Sequence, residues 1–361
     1  MNRRELLLSV AGGVSASVLG GPVGLLGATA PKKTQLGVCI HSYMIRPAAE
    51  RSGGKGGAFA EPMNFLEHCH RLGAGGIQVG LGTRDETYTS KLRRQAEAYE
   101  MFIEGIADLP GDPQVGAPAG VARFEAQVRT AKRAGAKVIR AVIMPGRRYE
   151  TFDSAQQFRR SADRGRRSVE LAEPVAAREG IRLAIENHKD QRVPEMLELL
   201  KRISSEYVGV CVDTGNSIAL LEDPLEVVRA YAPWAMSGHL KDMAVAEYDD
   251  GFLLSEVPLG EGILNLPEMI GLLRQARPEI LFTLEMITRD PLKIPCLTEK
   301  YWATLGDVPG RDLARTLKMV RASASKPPLP RVSGLPLDEQ IRQEEDNLKK
   351  CLGFARERLR L

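Results

Sequence analysis

The stretch Leu183-Ala184-Ile185-Glu186-Asn187-His188 carries the fold of this chain. Three apolar residues run straight into a carboxylate, an amide and an imidazole. The construction recurs downstream as Val210-Cys211-Val212-Asp213-Thr214-Gly215-Asn216, as Ser237-Gly238-His239-Leu240-Lys241-Asp242 and as Phe282-Thr283-Leu284-Glu285-Met286. Unbroken apolar runs such as Leu183-Ala184-Ile185 and 208–212 suit strands covered on both faces. Glu186 and Asp213 are 27 residues apart, Asp213 and His239 26, and His239 and Glu285 46. The shorter interval is about one strand–helix unit. The longer one holds an inserted segment. The four ionisable residues therefore take equivalent positions at the ends of neighbouring strands.

Outward from these runs, the same alternation covers the chain from residue 36. Strands are expected over 36–41, 75–80, 102–106, 137–143, 181–186, 207–212, 235–240 and 280–285. Helices are expected over 61–72, 86–100, 120–134, 154–179, 194–204, 223–231, 266–276 and 309–322. Strand then helix, eight times, predicts an α/β fold: a (β/α)8 TIM barrel with functional groups at the carboxyl ends of its strands. An open doubly wound sheet would need a Gly-rich phosphate turn after an early strand, and none of the right form is present. Three stretches break the rhythm. Residues 51–57 read as a flexible loop, and 243–262 as a hairpin turning at Asp249-Asp250-Gly251. Residues 324–336, with Pro327, Pro328, Pro330 and Pro336, read as an extended linker. Beyond it, Ile341, Leu348, Leu352, Ala355 and Leu359 share one face of a charged amphipathic helix over 337–360, which packs back on the barrel or forms a dimer contact. The expected division is residues 1–30, a barrel over 36–322, a Pro-rich linker over 323–336 and a C-terminal helix over 337–361.

Composition agrees. The 361 residues are 43% hydrophobic and 27% charged, which excludes disordered, collagenous and coiled-coil classes. A net charge of +4 is too small and dispersed to point to nucleic acid. Five cysteines make no disulfide scaffold. No apolar run of about 18 residues interrupts the body, so no internal membrane span is expected. Residues 1–30 resemble a twin-arginine export signal, with Arg3 and Arg4 ahead of a Gly- and Ala-rich apolar stretch. Ala28 and Ala30 resemble a peptidase site, although Pro31 would hinder cleavage there. The expected location is periplasmic or extracytoplasmic, with a retained N-terminal anchor as the alternative.

Three carboxylates converging at a barrel mouth repel one another unless a positive charge sits among them. One divalent metal ion held by Glu186, Asp213, His239 and Glu285 answers this. Three oxygens and one nitrogen favour Mn2+ or Mg2+, with Co2+ and Zn2+ as alternatives. Singly, such residues read as salt-bridge partners or a hydrogen-bonded core histidine; in register they read as a ligand set. His41 ends the first strand and His188 faces the same mouth as Glu186, so both are candidate substrate contacts. Arg147 and Arg148 follow the fourth strand, reaching either a polar substrate or solvent. Tyr301 and Trp302 offer an apolar wall or pack the C-terminal extension. His68 and His70 lie on a helix and read as structural. Cys39, Cys69 and Cys211 read as buried free thiols.

The four strand-end segments resemble the xylose isomerase-like TIM barrel family over roughly residues 36–322. The resemblance rests on Glu-Asn-His, Asp-Thr-Gly-Asn, His-Leu-Lys-Asp and the final strand-end Glu. In that family the Glu, Asp, His and Glu bind one divalent metal, which the resemblance places on Glu186, Asp213, His239 and Glu285. Ketose 3-epimerases of the family carry a His where this chain has Asn216, a Glu where it has Arg192 and an Arg where it has Val245. Lys241 occurs instead in inosose dehydratase-like members. The resemblance implies a metal-dependent isomerase or epimerase acting through an enediolate, and the export signal with the lack of a phosphate cradle points to a non-phosphorylated sugar or keto-sugar. Glu186 and Glu285 would be the acid–base pair, Lys241 or His188 would steady the oxyanion, and His41, His188, Asn216 and Lys241 would contact substrate. A dehydratase or lyase of inosose or 3-keto-sugar type, and a non-catalytic sugar-binding barrel, are the alternatives. A three-metal apurinic endonuclease of the same superfamily would need many more histidines than five.

Overall fold

Eight short parallel strands close on themselves in a computed structural model that describes residues 33–53, 57–111, 117–324 and 328–361. In chain order the strands are β1 (Gly37–Cys39), β2 (Gly76–Gly80), β3 (Phe102–Ile106), β4 (Val138–Ala141), β5 (Arg182–Glu186) and β6 (Val208–Asp213). There follow β7 (Ala235–Leu240), β8 (Asp242–Tyr248), β9 (Gly251–Val257), β10 (Phe282–Leu284) and β11 (Leu292–Ile294). The barrel runs β1 to β7 in sequence and closes through β10 back onto β1. Its strands come close enough that a Cβ at Gly76 would lie 2.4 Å from the Phe102 ring. All eight expected strands are present.

The helices are α1 (Ile45–Ser52), α2 (Pro62–Arg71), α3 (Glu86–Ala98), α4 (Ala117–Arg133), α5 (Arg148–Thr151) and α6 (Ala155–Glu179). Then come α7 (Val193–Ile203), α8 (Pro224–Tyr231), α9 (Leu266–Ala276), α10 (Glu299–Trp302), α11 (Gly310–Ser323) and α12 (Leu337–Phe354). Their starts follow from local chemistry. Asp85, Ser154 and Asp223 accept hydrogen bonds from the first free backbone N–H groups of α3, α6 and α8. Among the described residues no helix is long and apolar enough to cross a membrane. The proposed export signal at residues 1–30 lies outside the described residues.

The structure departs from expectation around three segments. The loop expected over 51–57 begins inside a helix, because α1 continues to Ser52; residues 54–56 lie outside the described residues. The hairpin forms as β8 and β9, but β11 pairs with β9 and makes a three-stranded antiparallel sheet. The last two helices exchange roles. Helix α11 puts Val320 into the buried cluster of that sheet, with Val245, Phe252 and Leu254. Helix α12 and the helical turn after it, Ala355–Leu359, instead join the barrel: Leu348, Leu352, Ala355 and Leu359 share a cluster with Leu36, Val38 and Leu66. Helix α12 lies between α2, where Glu345 reaches His68 at 3.3 Å, and Leu259 ahead of α9, whose N–H meets Cys351. The second half of the apolar stripe, from Leu348 on, is thus covered within the chain. Buried Glu344 accepts hydrogen bonds from the backbone N–H groups of Met44, Ile45 and Arg46. The described part of the Pro-rich segment is docked rather than free. Leu329 is buried against Ala244 and Val257, and Asp290 accepts from the backbone of Val332 and Ser333.

Candidate active site

Strand pairing places a polar side chain from every barrel strand on the inner face. Residues paired in register, or two apart on one strand, point the same way. Cys39 pairs with Gln78, and Gln78 with Glu104. Ile106, two residues after Glu104, pairs with Arg140. Arg140 pairs with Ala184, two before Glu186. Glu186 pairs with Cys211, two before Asp213, and Asp213 pairs with His239. His239 pairs with Thr283, two before Glu285. At the carboxyl end of this inner face, Glu186, Asp213, His239 and Glu285 are all buried. Each offers a ligand atom within 4.8 Å of the others.

The imidazole of His239 is held for this meeting. Its Nε2 is 2.8 Å from Oε1 of Gln78, whose Nε2 in turn donates to Glu104 at 2.9 Å. A proton on Nε2 leaves a lone pair on Nδ1. That buried atom has no hydrogen-bond partner among the described residues. It lies 3.6 Å from Glu186, 3.7 Å from Glu285 and 4.0 Å from Asp213. Oδ2 of Asp213 faces the same space, with Nζ of Lys241 2.9 Å away. An inward lone pair facing three carboxylates fits a divalent cation, with Gln78 and Glu104 orienting the ligand from behind. Burial pushes the Glu104 carboxyl up to about 7, against the pull of Gln78 and His239.

Cations brace the carboxylates. Burial alone would raise Glu186, but Arg140 holds it below the usual carboxylate range; its Nε donates at 2.5 Å and an Nη donates to the same oxygen. Asp213 accepts from the backbone N–H groups of Gly215 and Asn216 at 2.9 and 2.8 Å. Even so, burial holds its carboxyl above the usual value, against the pull of Lys241 and with Glu285 and Glu186 adding to the rise. Nζ of Lys241 is 2.6 Å from Glu285 and 2.9 Å from Asp213. For Glu285, burial is outweighed by Lys241 and His239, so it stays well below its ordinary value. The hairpin supplies Glu256, 3.6 Å from Lys241 and paired with Arg289 at 2.8 Å.

The other candidates separate cleanly. His41 reaches the site, with Nδ1 3.3 Å from Oε1 of Glu285 and a third of its side chain exposed. His188 is half-buried next to the site, and burial with Lys189 pushes it down to about 4. Asn216 is a buried strut: its amide donates to Glu186 at 3.0 Å and to the Asn187 carbonyl, and its oxygen accepts from Lys189 and Lys241. Arg148 is not solvated; it is buried on Glu195 and the Thr304 carbonyl. Arg147 pairs with Glu150. Tyr301 donates to the Ala219 carbonyl and Trp302 to that of Cys296, so both pack the second cluster. His68 is structural, between Tyr43 and Glu345, and His70 stacks on Tyr99. Missing from the sequence reading were Gln78, Glu104, Arg140, Lys189 and Glu256. Lys189 is a buried amine pulled down to about 8, by burial first and then by Lys241 and Arg289. For Gln78, Glu104 and Arg140 the available signal was a lone polar residue inside an apolar strand.

Comparison with known proteins agrees with this architecture. The model of the xylose isomerase-like TIM barrel family matches residues 66–307, and the chain belongs to that family. A 3-oxo-isoapionate decarboxylase of Pectobacterium atrosepticum is 34% identical over 87 residues, 24% of this chain. The chain spans 32% of the length of that curated relative. A D-psicose 3-epimerase structure, determined with D-fructose, superposes with a TM-score of 0.56 at 15% identity. The match covers 90% of this chain and 98% of that one. A 3-keto-D-glucoside 4-epimerase from E. coli gives 0.52 at 13% identity, covering 80% and 100%. At these identities the two structures establish the fold.

Proposed function

We propose that the protein is a divalent-metal-dependent carbohydrate isomerase or epimerase acting on a non-phosphorylated sugar or keto-sugar. The observation that carries this is the unpartnered Nδ1 of His239 facing Glu186, Asp213 and Glu285. These four residues would hold the cation, which supplies Lewis-acid polarisation of a substrate carbonyl. Glu186 and Glu285 come from strands on opposite sides of His239 and would flank the sugar. One would take a proton from the carbon beside the carbonyl, and the other would return it. Lys241, donating toward Glu285, stands where it can steady the oxyanion of the enediolate. His41 and His188 would orient sugar hydroxyls. Asn216 supports Glu186 and Lys189 rather than offering a free group. Export through the twin-arginine route is part of the same proposal: Arg3→Lys with Arg4→Lys should leave the protein in the cytoplasm, and unchanged export would refute that part.

A second reading is a lyase acting through the same enolate. It is favoured by Lys241, a buried ammonium beside the acid–base pair, and by the partial match to a decarboxylase. A panel of keto-sugars and inososes incubated with Mn2+ in D2O separates the readings. Deuterium at the carbon beside the carbonyl, with an epimer or isomer formed, is the expected result. Loss of water or CO2 would select the lyase. Sugar binding with neither exchange nor product would leave only a binding barrel.

A further inference from the structure

We propose that Cys39, His41 and Glu285 form a second cation site, suited to a borderline ion such as Zn2+ and joined to the first through the two oxygens of Glu285. Nδ1 of His41 is 3.3 Å from Oε1 of Glu285, and the ligand atoms of the three residues lie within 4.8 Å of one another. The other oxygen, Oε2, is turned to Lys241 at 2.6 Å and His239 at 3.7 Å. One carboxylate therefore presents separate oxygens to two donor sets.

Cys39 is placed for this role by the barrel itself. It pairs in register with Gln78, whose side chain reaches His239 across the interior, so the thiol faces the same side. Cys69 and Cys351 pack in the main apolar cluster, Cys296 in the cluster of the hairpin sheet and Cys211 with Val138, Ala184 and Met236. Cys39 is fully buried and, among the described residues, belongs to none of the apolar clusters. Its neighbours are the imidazole and carboxylate of the site. A sulfur, a nitrogen and an oxygen suit tetrahedral Zn2+ with a fourth position left for water or substrate. The quartet offers three oxygens and a nitrogen, which suits a harder ion. The two sites share Glu285 but have otherwise separate donors, so either can fail alone.

Co2+ titration of the metal-free full-length protein under reducing conditions tests this, because a thiolate ligand to Co2+ gives an intense near-ultraviolet charge-transfer absorption. The wild type should show that absorption and bind about two Co2+ per chain. Cys39→Ala and Cys39→Ser should both lose it and bind about one. Cys211→Ala, which removes the other inward-facing thiol, should retain it. So should Asp213→Asn, which damages only the quartet. A wild type without the absorption would overturn the proposal. So would absorption that survives in Cys39→Ala or disappears in Cys211→Ala.

Discussion

The two halves of the barrel face the same interior but load it differently. In the second half the ionisable residues stand at the ends of strands: Glu186 and Asp213 are the last residues of β5 and β6, and Glu285 follows β10. In the first half Gln78, Glu104 and Arg140 stand inside β2, β3 and β4. The end positions open toward the mouth and can share one cation. The inner positions cannot reach it, and they orient what does: Gln78 and Glu104 behind His239, and Arg140 on Glu186. Chemistry and its support are thus divided between halves of one closed sheet. The lesson is that a ligand set is only half of a metal site; the other half can lie on strands distant in sequence.

The largest expected effect falls on the second half. Glu186→Gln and Glu285→Gln each keep a carbonyl oxygen for the cation and delete a base. Turnover of the true substrate should drop by a factor on the order of 10²–10⁴ with part of the metal retained. In an epimerase, one of the two variants should still exchange substrate hydrogen with D2O. Wild-type rates in both would break the division, because the strand-end carboxylates would then be ligands only.

The next effect is electrostatic and belongs to the first half. Burial raises the Glu104 carboxyl from 4.5 to about 7. Between those values the folded chain holds a proton that the unfolded chain releases. Stability of the metal-free protein should therefore fall, on this group's account, as pH rises through that window. Glu104→Gln removes the titration. Its stability relative to wild type should climb by on the order of 3 kcal/mol from pH ~4.5 to ~7, read from urea unfolding. A difference that stays flat with pH would show that Glu104 is not held neutral by its surroundings.

A smaller effect sharpens the comparison. Gln78→Leu leaves Nε2 of His239 without its acceptor but touches no ligand. Mn2+ affinity should weaken by roughly 10–100-fold, as for other residues that orient a ligand from behind. Calorimetry would check it. An affinity equal to wild type would mean that His239 needs no orientation from β2.

The same contrast governs what the sequence could disclose. The ligands were legible because apolar runs that break into Glu, Asp or His at the spacing of a strand–helix unit seldom arise by chance. The supports were not, because a lone polar residue such as Gln78 in Gly76-Ile77-Gln78-Val79-Gly80 shows which face it takes only once the barrel closes and fixes the register. The eight barrel strands and the longer helices between them were legible. The exchange between α11 and α12 was not, since an amphipathic stripe says that a helix is covered and not by what. Helix α1 escaped notice because its eight residues include Pro47, Arg46, Glu50 and Arg51, and its start depends on Glu344, far away in sequence.

Mn2+ binding tests the central claim most directly, because a hard ion should enter the oxygen-rich quartet and avoid a site containing Cys39. Electron paramagnetic resonance of free Mn2+ in equilibrium with the protein gives the stoichiometry without any knowledge of the substrate. The wild type should bind about one Mn2+ per chain, Asp213→Asn should bind it far more weakly and His239→Ala should bind essentially none. Full occupancy in both variants would contradict a cation held by Glu186, Asp213, His239 and Glu285.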